Sequence, residues 1–235
     1  MEAVNLLKLY AAGRRDFREV FLREASLAQA NLSKINLVST DLREADLRQT
    51  NLSLGKLGHA NLKGCELSEA NLIRTSLIGA NLSWANLILA EMSWVNLRNA
   101  NLNGAKLIGA NLMHSDLKQA NLGDAKLINA DLQQACLYQA NLIEANLTWA
   151  NLEQADLRVA NLTEATLSGA SLKGANLSGA ILCKANLEGA DLSKANLSGA
   201  NLNGAMLCEA NLEGANLNGA ILNGAIRICH RYADA

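Results

Sequence analysis

From Phe17 to Leu222 every fifth residue is bulky and apolar, giving 42 consecutive centres that are all Leu except Phe17 and Met92. The residue two before each centre is usually Ala and the residue one before is usually Asn or Asp. The two residues that follow each centre vary and are mostly polar. Ala30-Asn31-Leu32-Ser33-Lys34 and Ala195-Asn196-Leu197-Ser198-Gly199 show the unit. No insertion or deletion breaks the register. A period of five fits neither an α-helix, at about 3.6 residues per turn, nor a flat strand, at about two. It fits a coil that turns a corner at each recurrence, with the centre and the Ala facing inward. A short period sustained along a chain predicts a solenoid, and without a linker the chain reads as one domain.

The flanks of the repeat predict how its ends are covered. Residues 2–12 read as a short helix with Val4, Leu7, Leu6 and Tyr10 on one side, and Gly13 stands where a left-handed C-cap belongs. Such a helix would shield core side chains and unpaired edge groups at the first coil. After Leu222 the pattern decays. Arg227 stands where Leu is due, Ile226 and Ile228 flank it, and Cys229-His230-Arg231-Tyr232 follow. That tail is short for a cap, so the chain is expected to be a monomer or a dimer abutting at this end.

The A-(N/D)-L-x-x unit resembles the pentapeptide-repeat family over about nine-tenths of the chain. The stretch Leu9-Tyr10-Ala11-Ala12-Gly13-Arg14-Arg15-Asp16-Phe17 is similar to the start of several cyanobacterial members. The resemblance implies an all-β solenoid: a right-handed quadrilateral β-helix with four units per coil and a short N-terminal capping helix. The expected organisation is a cap over 1–13, a β-helix of about 10.5 coils over 14–225, and a tail over 226–235. At a strand spacing of ~4.8 Å the rod would be roughly 50 Å long. The family's Asn or Asp before the centre faces outward and bonds locally, and ladders such as Asn81, Asn101, Asn121, Asn141 and Asn161 would stack their amides.

Composition narrows the function classes. Lys plus Arg total 21 against 22 Asp plus Glu, a formal charge of −1. That balance provides no global field for nucleic acid or an anionic membrane, so neither is an expected partner. No apolar run approaches the ~20 residues of a membrane span, and Met1-Glu2-Ala3-Val4 does not begin a signal peptide. A cytoplasmic protein is expected. The five cysteines lack CxxC spacing and read as free thiols of a reducing compartment. Cys65 falls at a buried Ala-type position, Cys136, Cys183 and Cys208 at outward ones, and Cys229 beyond the repeats.

No constellation suggests catalysis, a cofactor or a metal. His59 and His114 fall on different faces and His230 lies in the tail, and no HxxH, HExxH, CxxC or Walker-type run occurs. Asp41, Asp116, Asp131, Asp156 and Asp191 take the place of the usual Asn. The glycines suit tight turns and form no phosphate loop. A non-enzymatic role is expected.

Function should then lie in outward residues that are not small and polar. With four units per coil, residues 20 apart form columns. One face carries Ile88, Ile108 and Ile128, with Leu89 and Trp149 in the next column and Lys106 and Lys126 beside them. The following face carries Leu54, Ile73, Arg74, Trp94, Met113 and His114. Apolar area with Trp, Arg and Met has the composition of a protein-binding patch, although stacked isoleucines can also simply strengthen a sheet. A third face holds Arg98, Lys118 and Arg158 around Tyr138, read as a solvated basic column. The fourth holds Trp84 and the acids Asp124, Glu144 and Glu164.

Two functions are weighed. The resemblance to cyanobacterial members implies a regulatory scaffold for another protein, one that controls cell differentiation in filaments, or for an inhibitory peptide signal. A gyrase-directed DNA mimic, as in the quinolone-resistance branch, is the alternative. The near-neutral charge and single short acidic column speak against it.

Overall fold

The structure, a computed structural model, describes residues 1–226. It consists of one helix, α1 (Ala3–Ala11), followed by a continuous coil. Arg227, Ile228, Cys229, His230 and Tyr232, on which the readings of the tail and of an end-to-end dimer rest, lie outside the described residues.

The coil repeats every 20 residues. Parallel bridges pair the residue before each centre with its counterpart one coil on, from Asp16–Asn36 to Met206–Ile226. Each coil therefore contains four units and four corners. The backbone accounts for the unit. The N–H groups of the centre and of the residue two after it donate to the following coil, as in Leu122→Asn141 (2.7 Å) and Asp124→Ile143 (3.0 Å). The residue before the centre donates to the preceding coil, as in Asn121→Ala100 (2.9 Å). The Ala position closes the corner by donating to the centre's carbonyl, as in Ala125→Leu122 (3.1 Å).

That leaves the N–H of the residue just after the centre, and here the preference for Asn or Asp finds its cause. Asn121 Oδ1 accepts the Gly123 N–H at 3.2 Å, and Asn151, Asp191 and Asn201 do the same for Glu153, Ser193 and Asn203. A short side-chain acceptor thus satisfies the donor that the coil geometry leaves over. The same amides form ladders between coils, from Asn61 through Asn81, Asn101 and Asn121 to Asn141. The ladder lies one coil earlier than expected: it ends at Asn141, and Asn161 Oδ1 accepts both N–H and Oγ1–H of Thr163.

Inside, the Leu centres from Leu22 to Leu207 and the Ala positions from Ala45 to Ala205 are buried. The threonines and Cys65 at the Ala position keep this order by bonding to a carbonyl of the preceding coil. Thr40, Thr50 and Thr75 donate Oγ1–H to the carbonyls of Phe17, Leu27 and Leu52, and Cys65 Sγ donates to Leu42. Burial pushes the Cys65 thiol up to about 12, so it stays protonated. Exposure rises towards the end, where Leu212 and Leu217 are half-buried and Leu222 is 38% exposed.

The cap is anchored differently from the sequence reading. Leu6 is the fully buried side chain of α1, Leu7 and Tyr10 are half-buried, and Val4 is 64% exposed. Docking on Phe17 and the first coil fixes the helix azimuth, and a nine-residue helix with apolar residues on several sides does not reveal it. Gly13 (φ +96°) ends the helix as expected: its N–H donates to Tyr10 and that of Arg14 to Leu9, both at 3.0 Å. Tyr10 Oη–H then donates to the Ser33 carbonyl at 2.7 Å, fastening the cap to the wall.

Cys208 corrects the reading of the cysteines. It is buried and disulfide-bonded, whereas Cys65, Cys136 and Cys183 are free. No helix among the described residues is long and apolar enough to cross a membrane.

Candidate protein-binding surface

The corner residue two after each centre has a left-handed backbone, with φ of +55° to +61° where it is not glycine and +64° to +70° where it is. Non-glycine residues there cost ~1 kcal/mol or more each, and the bonds to the next coil hold them in place. This corner carries all three tryptophans and three further large exposed apolar side chains: Leu54, Trp84, Leu89, Trp94, Trp149 and Val159. The wall therefore projects its variable residues as columns along its corners.

One column makes the apolar surface. Leu54, Arg74, Trp94 and His114 follow one another a coil apart, with backbone bonds Leu54→Ile73, Arg74→Ser93 and Trp94→Met113 of 2.9–3.1 Å fixing the register. Trp94 stacks on His114, with ring centroids 4.3 Å apart and planes 20° apart. Leu54, Ile73, Arg74 and Trp94, together with Ser53, Asn71 and Ser93, line a depression of about 480 Å³. Ser53, Asn71 and Ser93 were not among the expected residues. Small polar residues occupy most such positions, so only their place in the column marks them.

The other expected residues are more dispersed. Ile88, Ile108 and Ile128 form the expected column, but each is half-buried because register stacks them one coil apart and each shades the next. Met113 is likewise half-buried, and Lys106 and Lys126 are exposed beside the isoleucines. Leu89 lies over Gly109, whose added Cβ would stand 2.8 Å from Leu89 Cδ2. Trp149 does not share the Trp94 depression. It borders a separate one of about 230 Å³ with Ser168, Gly169, Glu188, Gly189 and Glu209.

The charged faces are largely self-neutralised. Every Asp-x-Arg run forms a bidentate pair across its own centre: Asp16–Arg18, Asp41–Arg43, Asp46–Arg48 and Asp156–Arg158, with closest contacts of 2.6–2.8 Å. In each case the guanidinium's hydrogen bonds hold the carboxyl below the usual range. The column read as basic is thus balanced by acids. Arg158 pairs with Asp156 and lies 5.4 Å from the Tyr138 ring, and Arg98 and Lys118 both approach Asp116 at 3.9 Å. On the fourth face Glu164 pairs with Lys184 at 2.9 Å and Asp124 accepts from Asn103 at 3.1 Å. Among the described residues no group of three His, Cys, Asp or Glu side chains is placed to hold a metal ion.

Columnar corners, inward Leu and an Asn-capped unit define a pentapeptide-repeat β-helix. The chain belongs to the pentapeptide-repeat family: eight copies of the "Pentapeptide repeats" profile match over 16–54, 56–93, 90–127, 105–142, 120–158, 140–179, 160–199 and 185–224. Among solved structures it is similar to HetL of the cyanobacterium Nostoc sp. strain PCC 7120, a pentapeptide repeat protein involved in heterocyst differentiation regulation. That match has 38% identity over 97% of both chains and a TM-score of 0.41. Rfr23, a pentapeptide repeat protein of the cyanobacterium Cyanothece 51142, is 37% identical over 55% of this chain and 91% of its own, with a TM-score of 0.24. Full-length QnrB1, a plasmid-mediated fluoroquinolone resistance protein, is 16% identical over 89% of this chain and 92% of its own, with a TM-score of 0.31. No curated protein sequence matches the chain.

Proposed function

We propose that this protein is a non-enzymatic regulatory scaffold that binds another protein through the corner column Leu54–Arg74–Trp94–His114 and the adjoining isoleucine face. The observation that carries the reading is the depression in which Leu54, Ile73 and Trp94 stand exposed or half-exposed together on a wall whose other corners are mainly polar or glycine. A concentrated aromatic and aliphatic patch with an arginine is the usual make-up of an interface centre. The 38% identity to HetL along nearly the whole chain supports a role in control of heterocyst differentiation, with a regulatory protein or its inhibitory peptide signal as partner. The reading keeps a right-handed coil and the 1–13, 14–225 and 226–235 organisation, while the disulfide at Cys208 removes the free-thiol argument for a reducing, cytoplasmic location.

The gyrase reading is weaker on physical grounds. A DNA mimic needs a continuous acidic surface, and here Glu164 is paired with Lys184. The experiment is a pull-down from the native cell with the Trp94→Ala/Ile108→Lys double variant. Folded variant that no longer recovers the wild-type partner supports the reading. Undiminished recovery removes this surface from it.

A further inference from the structure

Seven arginines lie between Arg18 and Arg158, and six of them have a carboxylate within 4.0 Å. Arg74 is the exception. Its side chain is exposed and makes no ion pair or hydrogen bond among the described residues. It stands in the wall of the apolar depression, between Leu54 on one coil and Trp94 on the next. The rim adds donors without partners: Ser53 Oγ, Ser93 Oγ and Asn71 Nδ2 also make no hydrogen bond among the described residues. The nearest acid in the adjoining column is Glu91, which follows Asn71 by one coil, and it accepts from Asn111 Nδ2 at 3.0 Å.

This arrangement is an uncompensated cation flanked by apolar surface, on a coil wall whose other arginines from Arg18 to Arg158 each lie within 4.0 Å of a carboxylate. A guanidinium presents a planar fork that matches a carboxylate in two parallel hydrogen bonds. Leu54 and Trp94 lie about 5 Å to either side of Arg74 along the rod, from the coil-to-coil spacing. In an extended peptide, residues two apart point the same way and are separated by about 6.5–7 Å. A chain laid along the column could therefore put a carboxylate on Arg74 and an apolar side chain against Trp94 or Leu54.

We infer that the occupant of this depression is an extended acidic segment of a partner protein, with an Asp or Glu two residues from a large apolar side chain. The inference rests on the proposed binding role of this surface and adds the chemistry of what it binds. Complementary charge fixes register and excludes wrong partners more than it adds affinity, so the acid is expected to set which segments are accepted.

The test is selection of displayed random dodecapeptides on the full-length protein. Recovered peptides are then titrated by Trp94 fluorescence in a Trp84→Phe/Trp149→Phe background. The expected result is enrichment of sequences with an acid two positions from Phe, Trp, Leu or Ile. Arg74→Glu should weaken their binding about tenfold or more, and Arg74→Lys should weaken it less. Peptides that require Trp94 but carry no acidic preference, or that bind Arg74→Glu equally well, overturn the inference and leave the docking surface standing. Failure to enrich any peptide that distinguishes wild type from Trp94→Ala removes the docking surface itself.

Discussion

The indole of Trp149 lies flat across Gly169, one coil further on, so closely that a Cβ at Gly169 would stand 2.4 Å from Trp149 Cε3. Trp84 covers Gly104 in the same way, with a corresponding distance of 2.5 Å. Over these two tryptophans the corner obeys a size rule, with glycine 20 residues later, whereas Trp94 is followed by His114 and stacks on it. Gly189→Ala, where nothing lies within 4 Å, should cost only the left-handed backbone penalty of ~1 kcal/mol. Gly169→Ala should cost ~1–3 kcal/mol more, and Trp149→Ala should remove that excess. Urea denaturation of the four variants forms the cycle, and an equal cost at the two glycines would refute the size rule.

Among the described residues Val159 is the one β-branched residue at a left-handed corner, with φ +58°. Branching at Cβ makes that backbone especially costly. Val159→Gly should therefore raise stability by ~1 kcal/mol, read as a higher urea midpoint at unchanged slope. A lower midpoint would show that the exposed Val contributes packing that outweighs its strain.

Ser115 occupies an Ala-type position, is buried, and has no hydrogen-bond partner for Oγ. The threonines at equivalent positions reach a carbonyl 23 residues earlier. Ser115→Ala should stabilise by ~1–2 kcal/mol, because it removes an unsatisfied buried hydroxyl. The matched control Thr50→Ala breaks the bond to Leu27 and should give no such gain.

Asp41, Asp46 and Asp156 have carboxyls held below the usual range, chiefly by hydrogen bonds from Arg43, Arg48 and Arg158. A depressed folded-state value means that the stabilisation is present above the unfolded carboxylate range, near pH 4, and is lost as pH falls through the folded value. The guanidinium partners are solvent-exposed, so solvent screening keeps each contribution small. Asp→Asn at all three sites keeps an acceptor for the local backbone N–H while removing the charge. The triple variant should be less stable than wild type at pH 7 and converge on it as the pH falls through the depressed folded-state carboxyl range, below the unfolded value. A constant difference across that range would show that the ion pairs are not its source.

Much of this was legible from the chain because one local rule repeats. Leu every five residues fixes the inside, and Gly13 fixes the end of α1. The four-unit coil came through family resemblance, and it allowed Leu54, Arg74, Trp94 and His114 to be placed in one column. What escaped depended on neighbours in space. The Asp-x-Arg pairing that neutralises Arg158 spans three residues, yet it needs a corner geometry that the letters do not show. The burial of Leu6 in preference to Val4 depends on how the helix docks. Cys208 stands at a position that is outward on most coils but is buried here, next to the end of the described coil. The half-burial of Ile108 reflects the isoleucines one coil before and after it.

The central claim is that the column through Arg74 and Trp94 is where this rod meets its partner. The most direct measurement is photocrosslinking in the native cell, with a benzoyl-phenylalanine placed singly at Leu54, Trp94, Tyr138 or Gly199. All four positions face outward, and only the first two belong to the proposed surface. The account predicts one discrete protein adduct at positions 54 and 94 and none at 138 and 199. Adducts at 138 or 199 with none at 54 and 94 would contradict it.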